Sequence, residues 1–173
     1  MKPEYASDIA VDLLKKLDID YIAFNPGASF RFLHDSIVNY GDNKKPEVIL
    51  CCHEEIAVSL AQGYAKAAQK PMAAAVHNIV GLLHSSMAIF NDFVDQTPLL
   101  IIGGTGPVAV EKRRPWIDWI HTALVQGNVV RDYVKWDDQP ASIDSMVESF
   151  YRGYGAAMSE PKDETSVEDI AEL

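Results

Sequence analysis

Residues 46–76 read PEVILCCHEEIAVSLAQGYAKAAQKPMAAAV and contain, in order, a predicted strand, a predicted helix and a second predicted strand. PEVILCC is a short, continuous apolar run, which is typical of a buried strand. The next stretch carries an apolar stripe at helical spacing, made by Ala57, Ala61, Tyr64, Ala65 and Ala68. MAAAVH is the second predicted strand of this stretch, and most of its residues are small. Because a helix joins the two strands, this stretch predicts two parallel strands of one sheet.

The same alternation continues in both directions along the chain. YIAF at 21–24 and TPLLIIGG at 97–104 are two further apolar strands, and YVKW at 133–136 is a candidate fifth. Periodic apolar spacing predicts the remaining helices at 6–17, 30–39, 81–95 and 142–159. Continuous apolar strands separated by helices are typical of a sheet covered on both faces. The sequence therefore predicts an α/β fold, with three α/β/α layers around a doubly wound, mainly parallel sheet.

Length and charge narrow the class of protein. A chain of 173 residues, 48% of them hydrophobic, can form one domain with its own core, which we expect at residues 1–160. Residues 161–173 are mostly acidic, and we expect them to form a disordered tail. The net charge of −10 opposes sequence-independent binding to nucleic acid and docking on anionic membranes.

The two cysteines and the N-terminus bear on the compartment. Cys51 and Cys52 are neighbours in a predicted strand, where successive side chains point to opposite faces, so they make a poor disulfide. The first residues carry acids where a signal peptide has its apolar core. No apolar run approaches the roughly 20 residues that span a bilayer. A soluble, cytoplasmic protein with reduced thiols is the expectation.

Polar motifs follow the predicted strands at their carboxyl ends, where ligands bind in sheets of this kind. The motifs are Asn25-Pro26-Gly27, His53-Glu54-Glu55, His77-Asn78 and Gly103-Gly104-Thr105. Glu54 has two interpretations. A carboxylate in the first turn of a helix is stabilised by the helix dipole, by about 0.3–1 kcal/mol. Alternatively, Glu54 points into an apolar cleft, where its pKa would be raised and it could exchange a proton with a bound heterocycle.

The histidines also have two interpretations. His53, His77 and His84 lie near the strand ends and could ligate a metal, but they come from different segments without a recognisable ligand spacing. We therefore expect polar histidines that line a cleft, and no metal site. The glycine-rich run Gly103–Pro107 matches neither a dinucleotide fingerprint nor a phosphate-binding loop, and a turn that needs positive φ angles is favoured.

Several of these motifs together resemble the N-terminal pyrimidine-binding domain of thiamine diphosphate-dependent enzymes such as benzoylformate decarboxylase and acetolactate synthase. HEEIAVSLAQGYAKAAQKP is similar to the family stretch in which a glutamate follows a strand and a Gly-Tyr-Ala helix comes nine residues later. FNPGAS resembles the Pro-Gly turn after the first strand. AVHNIVGLLHSSMAIFNDFVDQTPLLIIGG resembles the third strand, the cofactor-facing loop, a helix and the fourth strand. The resemblance runs in the same order from about residue 5 to residue 161.

The resemblance implies roles for individual residues. Glu54 would be the catalytic residue that hydrogen-bonds the pyrimidine N1′ of thiamine diphosphate. Pro26 and Gly27 would bring backbone close to the aminopyrimidine, His77 would line the substrate side, and His84 sits where relatives often place an asparagine. The implied activity is decarboxylation or carboligation of a 2-keto acid, in which the cofactor acts as the electron sink.

Two departures from the family pattern define the alternatives. The chain has no Gly-Asp-Gly motif for magnesium and the diphosphate, and Glu160-Pro161 leads into an acidic segment where relatives have a last strand. The first hypothesis is the pyrimidine-binding half of a split enzyme, with magnesium and the diphosphate held by a partner domain or subunit. The second is a non-catalytic module that self-associates as a homo-oligomer through an exposed apolar face. The third is an unrelated α/β domain that binds a small ligand.

Overall fold

A computed structural model describes residues 2–159 and 165–168 of the chain. Its main elements are α1 (Ala6–Lys16), β1 (Tyr21–Phe24), α2 (Arg31–Asp35), β2 (Glu47–Leu50), α3 (Glu54–Ala68), β3 (Met72–Val76), α4 (Asn78–Asp95), β4 (Leu99–Gly103), α5 (Asp118–His121), β5 (Trp136–Asp138), α6 (Ile143–Met158) and β6 (Thr165–Glu168). A π-helical turn at Ser36–Tyr40 continues α2. The helices predicted at both ends of the chain are confirmed, and α4 begins three residues earlier than predicted.

The strands form one six-stranded sheet in the order β2-β1-β3-β4-β6-β5, and every neighbouring pair is parallel. Alternate residues of each central strand point to opposite faces. On one face Ile22 and Phe24 pack under α1, α2 and α6. On the other face Ala23 and Ala74 pack under α3 and α4. The predicted α/β/α layers around a parallel sheet are therefore confirmed.

Strand β2 differs from the expectation of a fully buried strand. It lies at the edge of the sheet, and its residues are exposed or half-buried, with Leu50 67% exposed. The apolar run PEVILCC is continuous because Cys51, just beyond the strand, packs into the core beneath α3, whereas Leu50 faces outward. A central strand and an edge strand with an apolar outer face give the same sequence pattern, so periodicity could not separate them.

The predicted acidic tail also differs in part. Residues Thr165–Glu168 form β6, which pairs with β4 on one side and with β5 on the other. Backbone hydrogen bonding to two neighbours places these four residues inside the sheet, although the acidic composition of residues 161–173 predicted disorder. The rest of the predicted tail lies outside the described residues. Within the described residues, no helix is both long and apolar enough to cross a lipid bilayer.

The strand order locates a crevice. From β1 the chain passes to β2 on one side, and β3 then returns to the opposite side of β1. The connections therefore diverge at the carboxyl ends of β1 and β3, which is where open α/β sheets bind ligands. The Asn25-Pro26-Gly27 turn follows β1, and His77-Asn78 follows β3. The topology thus brings two of the predicted strand-end motifs to one place.

Candidate functional site

Glu54 lies at the start of α3 and is buried, with 5% of its surface exposed. Its Oε2 accepts a hydrogen bond from His84 Nδ1 of α4 at 3.1 Å. The side chain of Asn25, at the end of β1, also hydrogen-bonds this carboxylate. Gly81 packs against Glu54 so closely that a Cβ at position 81 would lie 3.0 Å from Glu54 Cγ. Two other segments of the chain, the end of β1 and α4, therefore enclose this carboxylate.

The charge state of Glu54 is set by these neighbours. Burial by itself would raise the pKa of the carboxyl group. Hydrogen bonds from Asn25, from a backbone N–H and from His84 outweigh burial, so the pKa of Glu54 lies below its ordinary value. The raised pKa expected from the sequence is therefore wrong for the chain by itself. That expectation counted the apolar surroundings and not the donors that the fold aims at the carboxylate.

A second group of polar side chains surrounds His77, at the end of β3. Ser29 Oγ lies 2.7 Å from His77 Nδ1, and the rings of His77 and His121 are 5.7 Å apart between centroids. Burial lowers the pKa of His77, the neighbouring His121 lowers it further, and Glu54 opposes both effects. The lowered pKa favours the uncharged form of His77.

The Pro-Gly turn packs against this second group. A Cβ on Gly27 would lie 2.4 Å from His77 Cγ, a distance that no real side chain occupies. Gly27 has extended backbone angles, with φ −149° and ψ 161°, so the need for glycine here comes from contact and not from conformation. Pro26, beside it, is exposed. The turn therefore brings backbone directly onto the His77 ring.

Buried acceptors without a partner mark the same end of the sheet. Asn78 Oδ1, Thr105 Oγ1 and Gln126 Oε1 have no hydrogen-bond partner among the described residues. Gln126 is fixed by its Nε2, which donates to the carbonyl oxygen of Gly104 at 2.9 Å. An unpaired buried acceptor is costly unless another group binds it. These oxygens can therefore receive hydrogen bonds from a bound ligand.

The predicted site residues thus form two neighbouring pairs. Glu54 contacts His84, and Gly27 contacts His77. The metal trio considered from the sequence is not assembled, because His77 pairs with Ser29, whereas His53 stacks on His84 with ring centroids 4.9 Å apart. Sequence reasoning missed several contributing residues, namely Asn25 as a partner of Glu54, Ser29, His121 and Gln126. Asn25 lay within a quoted motif, but Gln126 carried no sequence signal.

Comparisons with known proteins agree on one family. Residues 5–129 match the family model described as "Thiamine pyrophosphate enzyme, N-terminal TPP binding domain". The acetolactate synthase large subunit of Lactococcus lactis is 31% identical over 112 residues, which are 64% of this chain and 19% of that protein. The corresponding subunit of Haemophilus influenzae is 29% identical over 104 residues, 60% of this chain and 18% of that protein. The alignments therefore span about a fifth of the length of these relatives.

A solved structure supports the fold. Benzoylformate decarboxylase from Polynucleobacter necessarius superimposes with a TM-score of 0.81 over 95% of this chain and 30% of that one. The sequences are 24% identical over this match, so the similarity is one of fold.

Proposed function

The chain belongs to the family of the N-terminal TPP-binding domain of thiamine pyrophosphate enzymes, and on that basis we propose that it is the pyrimidine-binding half of a thiamine diphosphate-dependent 2-keto acid decarboxylase or carboligase. The buried Glu54 carboxylate, enclosed at the crevice by Asn25, Gly81 and His84, carries this proposal. Such a carboxylate can hold a hydrogen bond to a nitrogen heterocycle in a dry site.

The residues present fit the aminopyrimidine of the cofactor. Gly27 and Gly81 let the backbone approach His77 and Glu54 more closely than a Cβ would allow, and the unpaired Asn78 Oδ1 and Thr105 Oγ1 are acceptors for amino hydrogens. When bound, thiamine diphosphate supplies a nucleophilic carbon and an electron sink for decarboxylation. Glu54 would hold the pyrimidine N1′ through its carboxylate, in place of the hydrogen bond that it accepts from His84 Nδ1. Pro26 and Gly27 present backbone to the ring.

In this proposal the carboxylate of Glu54 exchanges the proton and His77 lies on the substrate side. Once a pyrimidine nitrogen replaces the His84 donor, Glu54 keeps its burial and loses one stabilising hydrogen bond, so the pKa of Glu54 rises. That change favours proton exchange between Glu54 and the bound ring. His77, uncharged and held by Ser29, lines the substrate side. His121 lies beside His77, with the two ring centroids 5.7 Å apart.

The remaining half of the active site is proposed to come from elsewhere. The sequence has no Gly-Asp-Gly motif, so we propose that magnesium and the diphosphate are held by a separate diphosphate-binding domain or subunit. The free thiols of Cys51 and Cys52 support a reducing compartment, and we propose the cytoplasm. Residues 1–160 are proposed as the pyrimidine-binding domain.

Calorimetric titration tests the shared site. The chain alone is expected to give no heat of binding with thiamine diphosphate and Mg²⁺, because it offers the pyrimidine side and not the diphosphate side. Adding a diphosphate-binding chain, for example one encoded in a neighbouring reading frame, is expected to restore binding. Tight binding by the chain alone would overturn the shared site. Failure with every such partner chain would overturn the enzymatic role and favour a non-catalytic module.

An exposed apolar stripe supports association of this domain with another protein. Leu83, Met87, Phe90 and Val94 lie on one side of α4 and are 40–62% exposed. A contiguous apolar surface on a helix is typical of an interface. We propose that this stripe is buried in a homo-oligomer or against the diphosphate-binding subunit. The same observation is what favours the second candidate function, a non-catalytic self-associating module.

Replacing Met87 with lysine is expected to weaken self-association by about tenfold, which corresponds to about 1.4 kcal/mol of binding free energy. The reason is that a charge at the centre of an apolar interface must be desolvated. Sedimentation velocity at micromolar concentration measures it. Tyr151→Lys is the matched control, since Tyr151 is 48% exposed on α6, on the opposite face of the sheet. A wild-type chain that sediments as a monomer would contradict homo-oligomerisation.

A further inference from the structure

His53, Glu54 and His84 form a group whose ligand atoms all lie within 4.8 Å of one another. Glu54 and His53 come from the start of α3 and the residue before it, and His84 comes from α4. We propose that these three side chains bind a divalent transition metal such as Zn²⁺, Co²⁺ or Ni²⁺. The site requires no assumption about the cofactor.

The spacing of the donors is close to that of a metal centre. Around a tetrahedral zinc ion with bonds of about 2.0–2.1 Å, neighbouring ligand atoms lie about 3.3 Å apart. His84 Nδ1 and Glu54 Oε2 are already 3.1 Å apart. A metal ion can therefore take the place of the proton that these two atoms share, with that proton released to solvent.

His53 completes the set with a small adjustment. Its ring lies nearly parallel to that of His84, with 19° between the planes, and a nitrogen of each ring lies within 4.8 Å of a carboxylate oxygen of Glu54. His53 Nδ1 accepts a hydrogen bond from the backbone N–H of Glu55 at 3.2 Å. Ligation through Nε2 needs the other tautomer, which gives up that hydrogen bond. With that tautomer, His53 Nε2 is the second nitrogen donor to the metal, beside His84 Nδ1.

Access and stiffness favour binding from solvent. The side chain of Glu54 is 6% exposed, and that of His84 is 51% exposed. The carboxylate is therefore a fixed, buried ligand, whereas His84 can rotate at the helix surface to admit an ion. Three protein ligands leave a fourth coordination position open for water, as in catalytic zinc sites.

The donor chemistry selects the metal. Two imidazole nitrogens and one carboxylate oxygen suit zinc, cobalt, nickel and copper, whereas Mg²⁺ prefers oxygen ligands and keeps several waters. This site is therefore distinct in chemistry from the magnesium that accompanies a diphosphate. If the proposed function holds, the metal and the pyrimidine would compete for Glu54, which is a consequence of the site and not a condition for it.

Titrating the cofactor-free chain with Co²⁺, followed by visible absorption, tests the site. One Co²⁺ per chain is expected, with the intense absorption of four-coordinate cobalt, displaced by Zn²⁺ and unaffected by Mg²⁺. His53→Asn and His84→Asn are each expected to weaken binding by about tenfold or more, since removing even a supporting residue of a metal site has an effect of that size. His34→Asn is the control, because His34 pairs with Asp35 on α2.

Two results would overturn the proposal. One is the absence of four-coordinate Co²⁺ in the wild-type chain. The other is wild-type affinity in both His53→Asn and His84→Asn, which would identify adventitious binding elsewhere. Urea unfolding of each variant checks the fold, and both histidines are at least partly exposed, so their replacement leaves the core intact. The absence of thiamine diphosphate from the titration separates failure of this site from failure of the proposed function.

Discussion

Glu54→Gln is expected to reduce the thiamine diphosphate-dependent turnover of the assembled enzyme by about 10²–10⁴-fold, which is the usual contribution of a positioned acid or base. Glutamine keeps the size and one hydrogen bond of the side chain, but it cannot exchange a proton with the pyrimidine. The loss should also appear before any substrate is added. Exchange of the thiazolium C2 proton for deuterium, followed by NMR, measures it directly.

The neighbouring acid provides the control for this variant. Glu55 follows Glu54 in the first turn of α3 and is exposed. Glu55→Gln removes the same charge one residue away and is expected to leave C2 exchange unchanged. Equal slowing in both variants would mean that the charge at the helix terminus matters and not the buried carboxylate. Wild-type exchange in Glu54→Gln would remove Glu54 from the chemistry altogether.

Gly27→Ala is expected to abolish cofactor binding in the assembled enzyme and to lower the free energy of unfolding by about 1–3 kcal/mol, the usual range for overpacking. The added Cβ would lie 2.4 Å from Cγ and 2.6 Å from Nδ1 of His77. The added Cβ would also lie 2.8 Å from His77 Cβ, so rotation of the ring alone cannot relieve the contact. The backbone of the turn therefore has to shift, and the 2.7 Å contact between His77 and Ser29 is expected to be lost. Urea unfolding and calorimetric titration measure the two effects.

Gly63→Ala is the matched control for Gly27→Ala. Gly63 is exposed on α3, and a Cβ there would meet no atom within 4 Å. Alanine in a helix interior is favoured over glycine by about 0.5–1 kcal/mol, so this variant should be slightly more stable than wild type. If Gly27→Ala unfolds with wild-type stability and keeps the imidazole resonance of His77 unchanged, the close packing of the turn is not functional.

The central sheet could be predicted because its strands are buried on both faces. MAAAV and LLIIG are apolar at every position, and this pattern has few explanations in a short segment between helices. The edge position of β2 could not be predicted in the same way. Leu50 is apolar although it is exposed, so the sequence of β2 has the apolar pattern of a core strand while the strand itself is not buried. Strand order is decided by packing between distant elements.

The site was predictable only where its residues lie at strand ends. His77 directly follows β3, and Glu54 begins the helix that comes three residues after β2, so the position of each could be read from a single segment. The pairings of the site depend on contacts between segments. Ser29 is 48 residues from His77, and Glu54 is 30 residues from His84. No local pattern sets these distances, and the donors that lower the pKa of Glu54 were missed for the same reason.

In the sheet, β6 lies between two strands that are synthesised before it. β5 precedes β6 in the chain, yet β6 lies between β5 and β4. Among the described strands, β5 pairs with β6 and with no other, so it has no hydrogen-bonded neighbour until residues 165–168 arrive. During synthesis, the edge of β4 therefore stays open while α5, β5 and α6 emerge from the ribosome, and open strand edges invite pairing with other chains. Strand β6 therefore joins β5 to the rest of the sheet, and a version shortened at residue 160 would retain every proposed cofactor contact while leaving β4 and β5 each with an unpaired edge.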